Sequence, residues 1–260
     1  MTRAQTARLT EGLKTLRMAT IRKSYREQAE LARKETLSYE AYLLELVDRE
    51  CETRTHNRIE RLVRESRLPL EKSLETFDRK RLPTKVSGLV STLLEGDFLD
   101  RSENVLAFGN PGSGKTHLVC AIAQHLIQQG RRVLFTPCNL LVQQLLLAKR
   151  ELDLPRLLKR WDRCDALVLD DIGYVQHSRE EMEVLFALLS HRYERGSIMI
   201  TSNLPFSKWE QIFKDEMTTA AAIDRLVHHC VILELNLPSY RLEHSKTGRK
   251  GNPSDSKSAA

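Results

Sequence analysis

The segment Gly109–Thr116 constrains the fold of this 260-residue chain more than any other, because it reads G-x-x-x-x-G-K-T between a strand pattern and a helix pattern. The apolar run Val105–Phe108 precedes it, and the apolar run Leu118–Ala123 follows it. Glycines have no Cβ, so the backbone can curl and point its N–H groups at phosphate oxygens. A chance glycine-rich turn does not account for the Lys-Thr pair and both flanks. The segment therefore predicts a P-loop that binds a nucleoside triphosphate.

The P-loop pattern also assigns roles to the two residues after its last glycine. Lys115 is expected to reach the β- and γ-phosphates, and the Thr116 hydroxyl is expected to hold Mg²⁺. The residues predicted to contact the nucleotide are Gly109, Asn110, Pro111, Gly112, Ser113, Gly114, Lys115, Thr116 and His117.

Short apolar runs alternate with helical patterns from about residue 73 onward. The runs predict strands at 104–108, 132–136, 166–170, 197–201 and 230–235. The helical patterns predict helices at 115–129, 139–150, 155–162, 179–194, 207–213 and 219–228. Ser178 followed by Glu181 matches a capping box at the start of one of them. This alternation predicts an α/β fold with a five-stranded, mostly parallel sheet that is covered by helices on both faces.

Residues 1–72 show a different pattern, with dense charge of both signs and helical spacing of apolar residues. One helical face carries Tyr39, Leu43, Leu46, Val47 and Cys51 after a plausible Ser38 cap. The pattern runs on to Leu68-Pro69, where the proline is expected to end it. A small all-helical domain that grips a partner protein is predicted here; packing against the next domain is the alternative. The second domain is expected at 73–242 and a flexible basic tail at 243–260.

Two adjacent carboxylates, Asp170 and Asp171, end the third predicted strand. Nucleotide hydrolysis needs one acid in the Mg²⁺ shell and another that orients or deprotonates the attacking water. We assign Asp170 to the metal and Asp171 to the water. The alternative is an aspartate pair that caps a helix after a core strand.

Two further polar residues fit the same chemistry. Asn203 ends the fourth predicted strand, where its amide would contact the γ-phosphate or the lytic water, although asparagine is also a common turn residue. Arg225 lies on a late predicted helix and is a candidate arginine finger for a neighbouring subunit, because a guanidinium neutralises charge that builds up on the γ-phosphate. An intramolecular pair with Asp224, or a solvated surface charge, is the alternative for Arg225.

Composition and charge limit the kind of partner and the cellular location that can be expected for this protein. The formal net charge of +6 favours a polyanionic partner. The N-terminus lacks the apolar core of a secretory signal, and no long uncharged apolar run is present, so a cytoplasmic protein without a membrane partner is expected. The five cysteines form no C-x-x-C pair and are interpreted as reduced core residues. His228 and His229 lack a nearby cysteine or second histidine cluster, and they are interpreted as core or surface histidines.

These motifs together resemble those of the IstB-like ATP-binding proteins, the ATPase partners of transposases encoded by a class of bacterial insertion sequences. DnaC-type helicase loaders are the next most similar group, and both belong to the AAA+ ATPases. The segments that carry the resemblance are Ser73–Asp78, the P-loop through Leu118, Leu169–Tyr174, Arg192–Arg195, Thr201–Phe206 with Trp209, Asp224–His229 and Ser239–Leu242.

The resemblance implies a sheet of strand order 5-1-4-3-2, with Lys115 and Thr116 as Walker A, Asp170 and Asp171 as Walker B, and Asn203 as sensor 1. It also implies ATP at subunit interfaces of a homo-oligomer, with Arg225 acting in trans. AAA+ proteins often carry Glu where this chain has Asp171, and the shorter side chain puts efficient water activation in question. The chain also departs from the family before Ser239, and Arg241 is retained only as an extra phosphate or DNA contact.

Proteins of this family assemble ATP-dependently on duplex DNA and recruit or stimulate the transposase. The function expected from the resemblance is therefore a Mg²⁺-dependent ATPase of DNA transposition. Two alternatives remain: a helicase loader, and an ATP-switched DNA-binding scaffold with little hydrolysis. The basic residues between the second and third strands are candidate DNA contacts, or else a solvated helix face: Lys149, Arg150, Arg156, Lys159 and Arg160.

Overall fold

A computed structural model of the chain describes residues 2–173, 178–209 and 216–240. The chain divides into two compact units, Met1–Arg61 and Leu62–Ala260. Within the described ranges, no helix has both the length and the apolar character that crossing a membrane requires. Arg241, the tail predicted at 243–260 and residues 210–213 of the helix predicted at 207–213 lie outside the described residues.

The first unit contains helices α1 (Arg3–Thr15), α2 (Ala19–Lys34) and most of α3 (Tyr39–Ser66). Its small core is formed by Leu13, Ile21, Tyr25 and Leu46. The Ser38 hydroxyl accepts a hydrogen bond from the Ala41 N–H at 3.1 Å, which agrees with the predicted cap.

The buried face of α3 is narrower than its apolar pattern suggests. Leu43 and Val47 are exposed, although the pattern places them beside the buried Leu46. The helix also ends at Ser66, before the predicted stop at Pro69. The reason is local, since Arg67 has a left-handed φ of 57° and the Ser66 hydroxyl accepts the Leu68 N–H at 3.2 Å.

Glu50 completes the first unit by capping α2 from another helix. No side chain at the α2 N-cap accepts a hydrogen bond, and the Glu50 carboxylate instead accepts from the Thr20 and Ile21 N–H groups at 2.8 and 3.1 Å. Burial raises the pKa of Glu50, but these hydrogen bonds and one from Arg54 outweigh it, so the pKa lies below its usual value. A carboxyl with a lowered pKa stabilises the fold when ionised, and this contribution is lost as the pH falls through that pKa.

Replacing Glu50 with alanine is therefore expected to destabilise the first unit by about 1–3 kcal/mol, because two helix N–H groups lose their acceptor. Hydrogen exchange of the α2 amides at neutral pH measures this, and Glu50→Gln, which keeps an acceptor oxygen, should have the smaller effect. Unchanged protection of α2 in Glu50→Ala would contradict the capping role.

The second unit is built on five parallel strands in the order β2-β3-β4-β1-β5, so the predicted order is confirmed. The strands are β1 (Asn104–Gly109), β2 (Val133–Pro137), β3 (Ala166–Ile172), β4 (Ser197–Ser202) and β5 (Cys230–Leu235). The helices are α4 (Thr84–Glu95), α5 (Asp97–Asp100), α6 (Lys115–Gln128), α7 (Cys138–Arg150), α8 (Leu154–Trp161), α9 (Arg179–Arg192) and α10 (Glu216–Val227).

Helices cover both faces of the sheet, as predicted. Residues of α4 and α6 share one buried core with Val105, Val168 and Met199. On the opposite face of the sheet, residues of α7, α8, α9 and α10 form a second buried core with strand residues such as Leu106 and Leu167. This alternation along each strand is the pattern of a sheet buried on both sides.

The element boundaries lie within three residues of the predicted ones, and those of β5 match at both ends. Two differences have a structural cause. Strand β3 continues through both aspartates to Ile172, because Ile172 pairs with Ser202 after a shift in register. The predicted helix at 207–213 begins as a short 3₁₀ turn, Phe206–Lys208, in the described part. The Ser178–Glu181 capping box is present at the start of α9.

Candidate functional site

The loop between β1 and α6 has the curled backbone that phosphate binding requires. Gly112 and Gly114 have left-handed φ angles of 80° and 95°. A Cβ at Gly109 would overlap the carbonyl oxygen of Leu235, and one at Gly112 would overlap the Ser239 side chain. The Gly112 carbonyl accepts the Tyr240 N–H at 3.0 Å, so the chain after β5 is held against the loop.

Lys115 lies inside this loop and is largely buried. Its ammonium donates to the carbonyl oxygens of Gly109 and Asn110 at 2.8 and 3.0 Å. The positive charge is thus held at the centre of the loop, next to the start of α6, whose N-terminus itself favours anions.

A chain of short hydrogen bonds joins three elements beside the loop. The Asp170 carboxylate accepts from the Thr116 hydroxyl at 2.7 Å and from the Thr201 hydroxyl at 2.6 Å. The Thr201 hydroxyl in turn accepts the Asp171 N–H at 2.8 Å. The ends of α6, β3 and β4 therefore meet at one carboxylate. A hydroxyl beside a carboxylate is an oxygen donor set that suits Mg²⁺.

Asp171 occupies a strained position next to this chain. Its φ of 65° is left-handed, and it lies at the irregular pairing between β3 and β4. Such a bulge re-aims side chains relative to a regular strand. The Asp171 side chain is exposed, whereas that of Asp170 is half-buried. Asp171 therefore belongs to the rim of the site, and Asp170 to its centre.

Two buried polar atoms at the site have no hydrogen-bond partner among the described residues. They are the hydroxyl oxygen of Ser113, in the loop, and the side-chain carbonyl oxygen of Asn203, just after β4. Strands β1 and β4 are neighbours, with Phe108 opposite Ser202, so both atoms lie at the same edge of the sheet. A buried polar atom without a partner costs free energy, and a polar ligand at this edge would remove that cost.

A cleft of about 250 Å³ opens beside the loop. The aromatic and apolar side chains of Phe77, Leu237 and Tyr240 line it together with the cations Lys72 and Arg81. Arg81 donates to the Pro238 carbonyl at 3.0 Å, and its guanidinium lies 5.3 Å from the centre of the Tyr240 ring. The mixture of flat apolar surface and cations next to a phosphate loop suits a nucleotide base.

His117, predicted to touch the nucleotide, is held by the segment that enters the second unit. Its Nε2 lies 3.1 Å from the Thr76 hydroxyl and 3.0 Å from the Ser73 carbonyl. Its ring also packs edge-on against Phe77, with centroids 5.2 Å apart. His117 thus positions one wall of the cleft.

Arg225 lies at the opposite edge of the sheet from its own P-loop. Asn104, the first residue of β1, donates through its side chain to the carbonyl of Leu226 at 3.1 Å, so Arg225 is near the start of β1. The P-loop follows the end of the same six-residue strand, roughly 17–20 Å away. Arg225 donates to the Ala221 carbonyl at 2.8 Å and covers the Phe186 ring at 4.9 Å, and no ion pair with Asp224 is found in the described ranges.

The predicted DNA contacts lie on α7 and α8 and are all exposed. Lys149 pairs with Glu183 at 3.0 Å, and Arg156 pairs with Asp153 at 3.5 Å. Within the described chain, no carboxylate pairs with the other three, Arg150, Lys159 and Arg160.

Arg160 also lines a cleft of about 440 Å³ with three arginines that were not predicted from the sequence: Arg67, Arg132 and Arg163. Arg163 is three residues from Arg160, but Arg67 and Arg132 are far from both in sequence, so only the fold shows that the four are neighbours. Thr201 was also not predicted as a site residue, because no sequence motif indicates its hydrogen bond to Asp170. Phe77 and Tyr240 lie in segments that the family resemblance singled out, although no role was assigned to them.

The fold is found in solved structures of low sequence similarity. The chain matches a DnaC helicase loader with a TM-score of 0.54 and 18% identity, covering 63% of this chain and 96% of that one. It matches AMPPCP-bound DnaA from Aquifex aeolicus with a TM-score of 0.56 and 19% identity, covering 71% of this chain and 56% of that one. These likenesses show an AAA+ P-loop fold.

Curated relatives are much closer in sequence. An insertion-sequence ATP-binding protein of Sinorhizobium fredii is 44% identical over 90% of this chain and 79% of its own length. The ATP-binding protein of insertion sequence IS21 from Pseudomonas aeruginosa is 39% identical over 84% of this chain and 82% of its own length. The family model of the IstB-like ATP binding proteins matches residues 11–248. With its P-loop, its strand order and these relatives, the chain belongs to the family of IstB-like ATP-binding proteins.

Proposed function

We propose that the protein is a Mg²⁺-dependent AAA+ ATPase that oligomerises on target duplex DNA and recruits or stimulates the transposase of the same insertion sequence. The observation that carries this proposal is the division of the candidate catalytic residues between two edges of the sheet. Lys115, Thr116 and Asp170 meet at one edge, and Arg225 lies at the other, roughly 17–20 Å away. One subunit thus offers both halves of a site, but cannot join them itself.

At the P-loop edge, Lys115 and the loop N–H groups would bind the β- and γ-phosphates of ATP, and Phe77 with Tyr240 would hold the base. Thr116 and Asp170 fit a Mg²⁺ ion, because their two oxygens are already 2.7 Å apart. Bound there, Mg²⁺ would offset negative charge on the phosphates. The unpartnered Asn203 oxygen would accept a hydrogen bond from the lytic water.

Hydrolysis requires two more contributions. Asp171 would orient the attacking water, and Arg225 of a neighbouring subunit would neutralise charge on the γ-phosphate. ATP would then order the subunit interface, and its hydrolysis would release or remodel the assembly. A switch with little hydrolysis is the second candidate, and the exposed position of Asp171 at the rim of the site favours it. If Asp171→Asn abolishes phosphate release at saturating DNA, the pure switch is excluded.

The insertion-sequence names of the relatives support a transposase as the partner. The helical first unit would meet it, since that unit is compact in itself. A helicase loader would share the ATPase unit but would prefer single strands.

Duplex DNA would bind across a group of cations near the amino ends of β2 and β3. Arg67, Arg132, Arg160 and Arg163 share one cleft, and none of the four forms an ion pair in the part of the chain that is described. Glu65 lines the same cleft, but the four guanidinium groups outnumber it. Guanidinium groups that form no ion pair are available to phosphates, which bind without regard to base sequence.

ATP-dependent binding to duplex and single-stranded DNA of equal length tests the proposal. We expect a preference for duplex. Affinity falls as salt rises, so the slope of log affinity against log salt is negative. Arg132→Gln combined with Arg163→Gln should make this slope less negative by about 0.9 for each phosphate that the protein no longer neutralises. Arg131→Gln is the matched control, because Asp100 holds Arg131 through two hydrogen bonds of 2.7 Å. A preference for single strands would overturn the transposition model, and an unchanged slope would remove the arginine cleft from it.

A further inference from the structure

We propose that Glu194, His228 and His229 form a binding site for a divalent transition-metal ion, with Zn²⁺ as the best match. One ligand atom from each of the three residues lies within 4.8 Å of the other two. All three side chains are exposed, so an ion and its remaining water ligand can enter from solvent. This site is separate from the P-loop and does not depend on ATP turnover.

The donor set determines the class of ion. Two imidazoles and one carboxylate suit Zn²⁺ and its neighbours in the first transition series. Mg²⁺ prefers oxygen donors and octahedral geometry, so the ion needed with ATP would not compete well here. Three protein ligands leave a fourth position open for water.

A hydrogen bond outside the three ligands supports the assignment. The Tyr193 hydroxyl lies 3.1 Å from Nδ1 of His228. A metal-bound histidine typically donates its other ring N–H to a polar neighbour, which sets the tautomer and the ring orientation. Tyr193 can accept that N–H, and Nε2 of His228 is then available to the ion.

The backbone on both sides of the site is firmly held, which reduces the cost of ordering the ligands. The turn that carries Tyr193 and Glu194 follows Arg192, whose buried guanidinium donates to four carbonyl groups, among them those of Trp161 and Ser197. On the other side, the Asn104 N–H donates to the His229 carbonyl at 2.8 Å.

The proposed metal site lies close to Arg225, so a bound ion would affect the helix that carries this residue. Glu194 and His229 line a cleft of about 260 Å³ that Arg225 also lines. An ion bound to Glu194 and the histidines would tie the α9–β4 turn to the C-terminal end of α10, the helix that carries Arg225. It would thereby restrict the motion of that helix end.

Zinc titration of tag-free protein against a chromophoric chelator, without ATP or Mg²⁺, tests the proposal. We expect one site per chain, and His229→Ala or Glu194→Gln should weaken it by more than Tyr193→Phe, which should weaken it about tenfold. His56→Ala is the matched control, because His56 is also exposed but faces a single carboxylate, Glu60, at 3.2 Å.

Thermal unfolding provides a second measurement that does not use the chelator. Zinc should raise the Tm of the wild type and of His56→Ala, but not that of His229→Ala, because only a native state that binds the ion is stabilised. Equal zinc affinity in the wild type and in His229→Ala, or no detectable binding by the wild type, would overturn the proposal.

Discussion

Replacing Arg225 with alanine is expected to lower ATP turnover by about 10³-fold or more, with little change in ATP affinity. The proposed role of Arg225 is to neutralise charge on the γ-phosphate in the transition state, and a trans-acting arginine contributes an effect of this size in related phosphoryl transfers. ATP affinity should persist, because Arg225 lies at the far edge of the sheet from its own P-loop. Steady-state phosphate release and equilibrium nucleotide binding measure the two quantities separately.

A subunit-mixing experiment separates action in trans from a structural role. Arg225→Ala subunits keep an intact P-loop, and Lys115→Ala subunits keep an intact Arg225. At a mixed interface, the Arg225→Ala subunit would supply the P-loop and the Lys115→Ala subunit would supply Arg225. Turnover should therefore reappear when the two inactive variants are combined. Mixed oligomers that form but remain inactive would contradict the trans assignment. Arg225→Lys should recover little, since lysine lacks the planar fork of arginine.

Lys115→Ala is expected to weaken ATP binding by about 10²-fold or more. The variant removes a buried charge that would contact the phosphates, and losing one partner of such a pair costs about 2–5 kcal/mol. Equilibrium binding of a fluorescent ATP analogue measures the loss.

The loop contacts of Lys115 call for a control, because the ammonium also bridges the Gly109 and Asn110 carbonyls. Lys115→Met keeps much of the side-chain volume but not the charge. If the charge is what matters, both variants should lose ATP binding while their Tm values stay near that of the wild type. ATP affinity within a few-fold of wild type in Lys115→Met would remove Lys115 from the phosphate site.

The architecture of the second unit was predictable because its signals are local. Strands such as Asn104–Gly109 and Cys230–Leu235 are short apolar runs between helical patterns, and hydrophobic periodicity is a property of neighbouring residues. The P-loop is one continuous segment, and the capping box of α9 is formed by Ser178 and Glu181, which lie within four residues of each other. The order of the strands followed from the family resemblance, and the structure confirms it.

Features that depend on contacts between distant segments were not predictable. The apolar spacing of α3 suggested burial for Leu43 and Val47, but burial depends on which helices pack against that face. Asp170 and Asp171 are adjacent in sequence, yet only the bulge in β3 and the Thr201 hydroxyl reveal their different surroundings. The sequence indicates core or surface histidines at 228 and 229, because no cysteine or second histidine cluster lies nearby, whereas Glu194 comes from a turn more than thirty residues away.

By itself, the sequence determined that this chain forms a P-loop α/β unit behind a helical segment, because the glycine spacing and the apolar periods are local requirements of backbone geometry. The tertiary structure alone decided that Asp170 joins Thr116 to Thr201 and that four arginines share one cleft. It also decided that Arg225 lies across the sheet from its own loop. The physical reason is that parallel strands separate their two ends by the full strand length, so residues close in function can be held apart within one subunit.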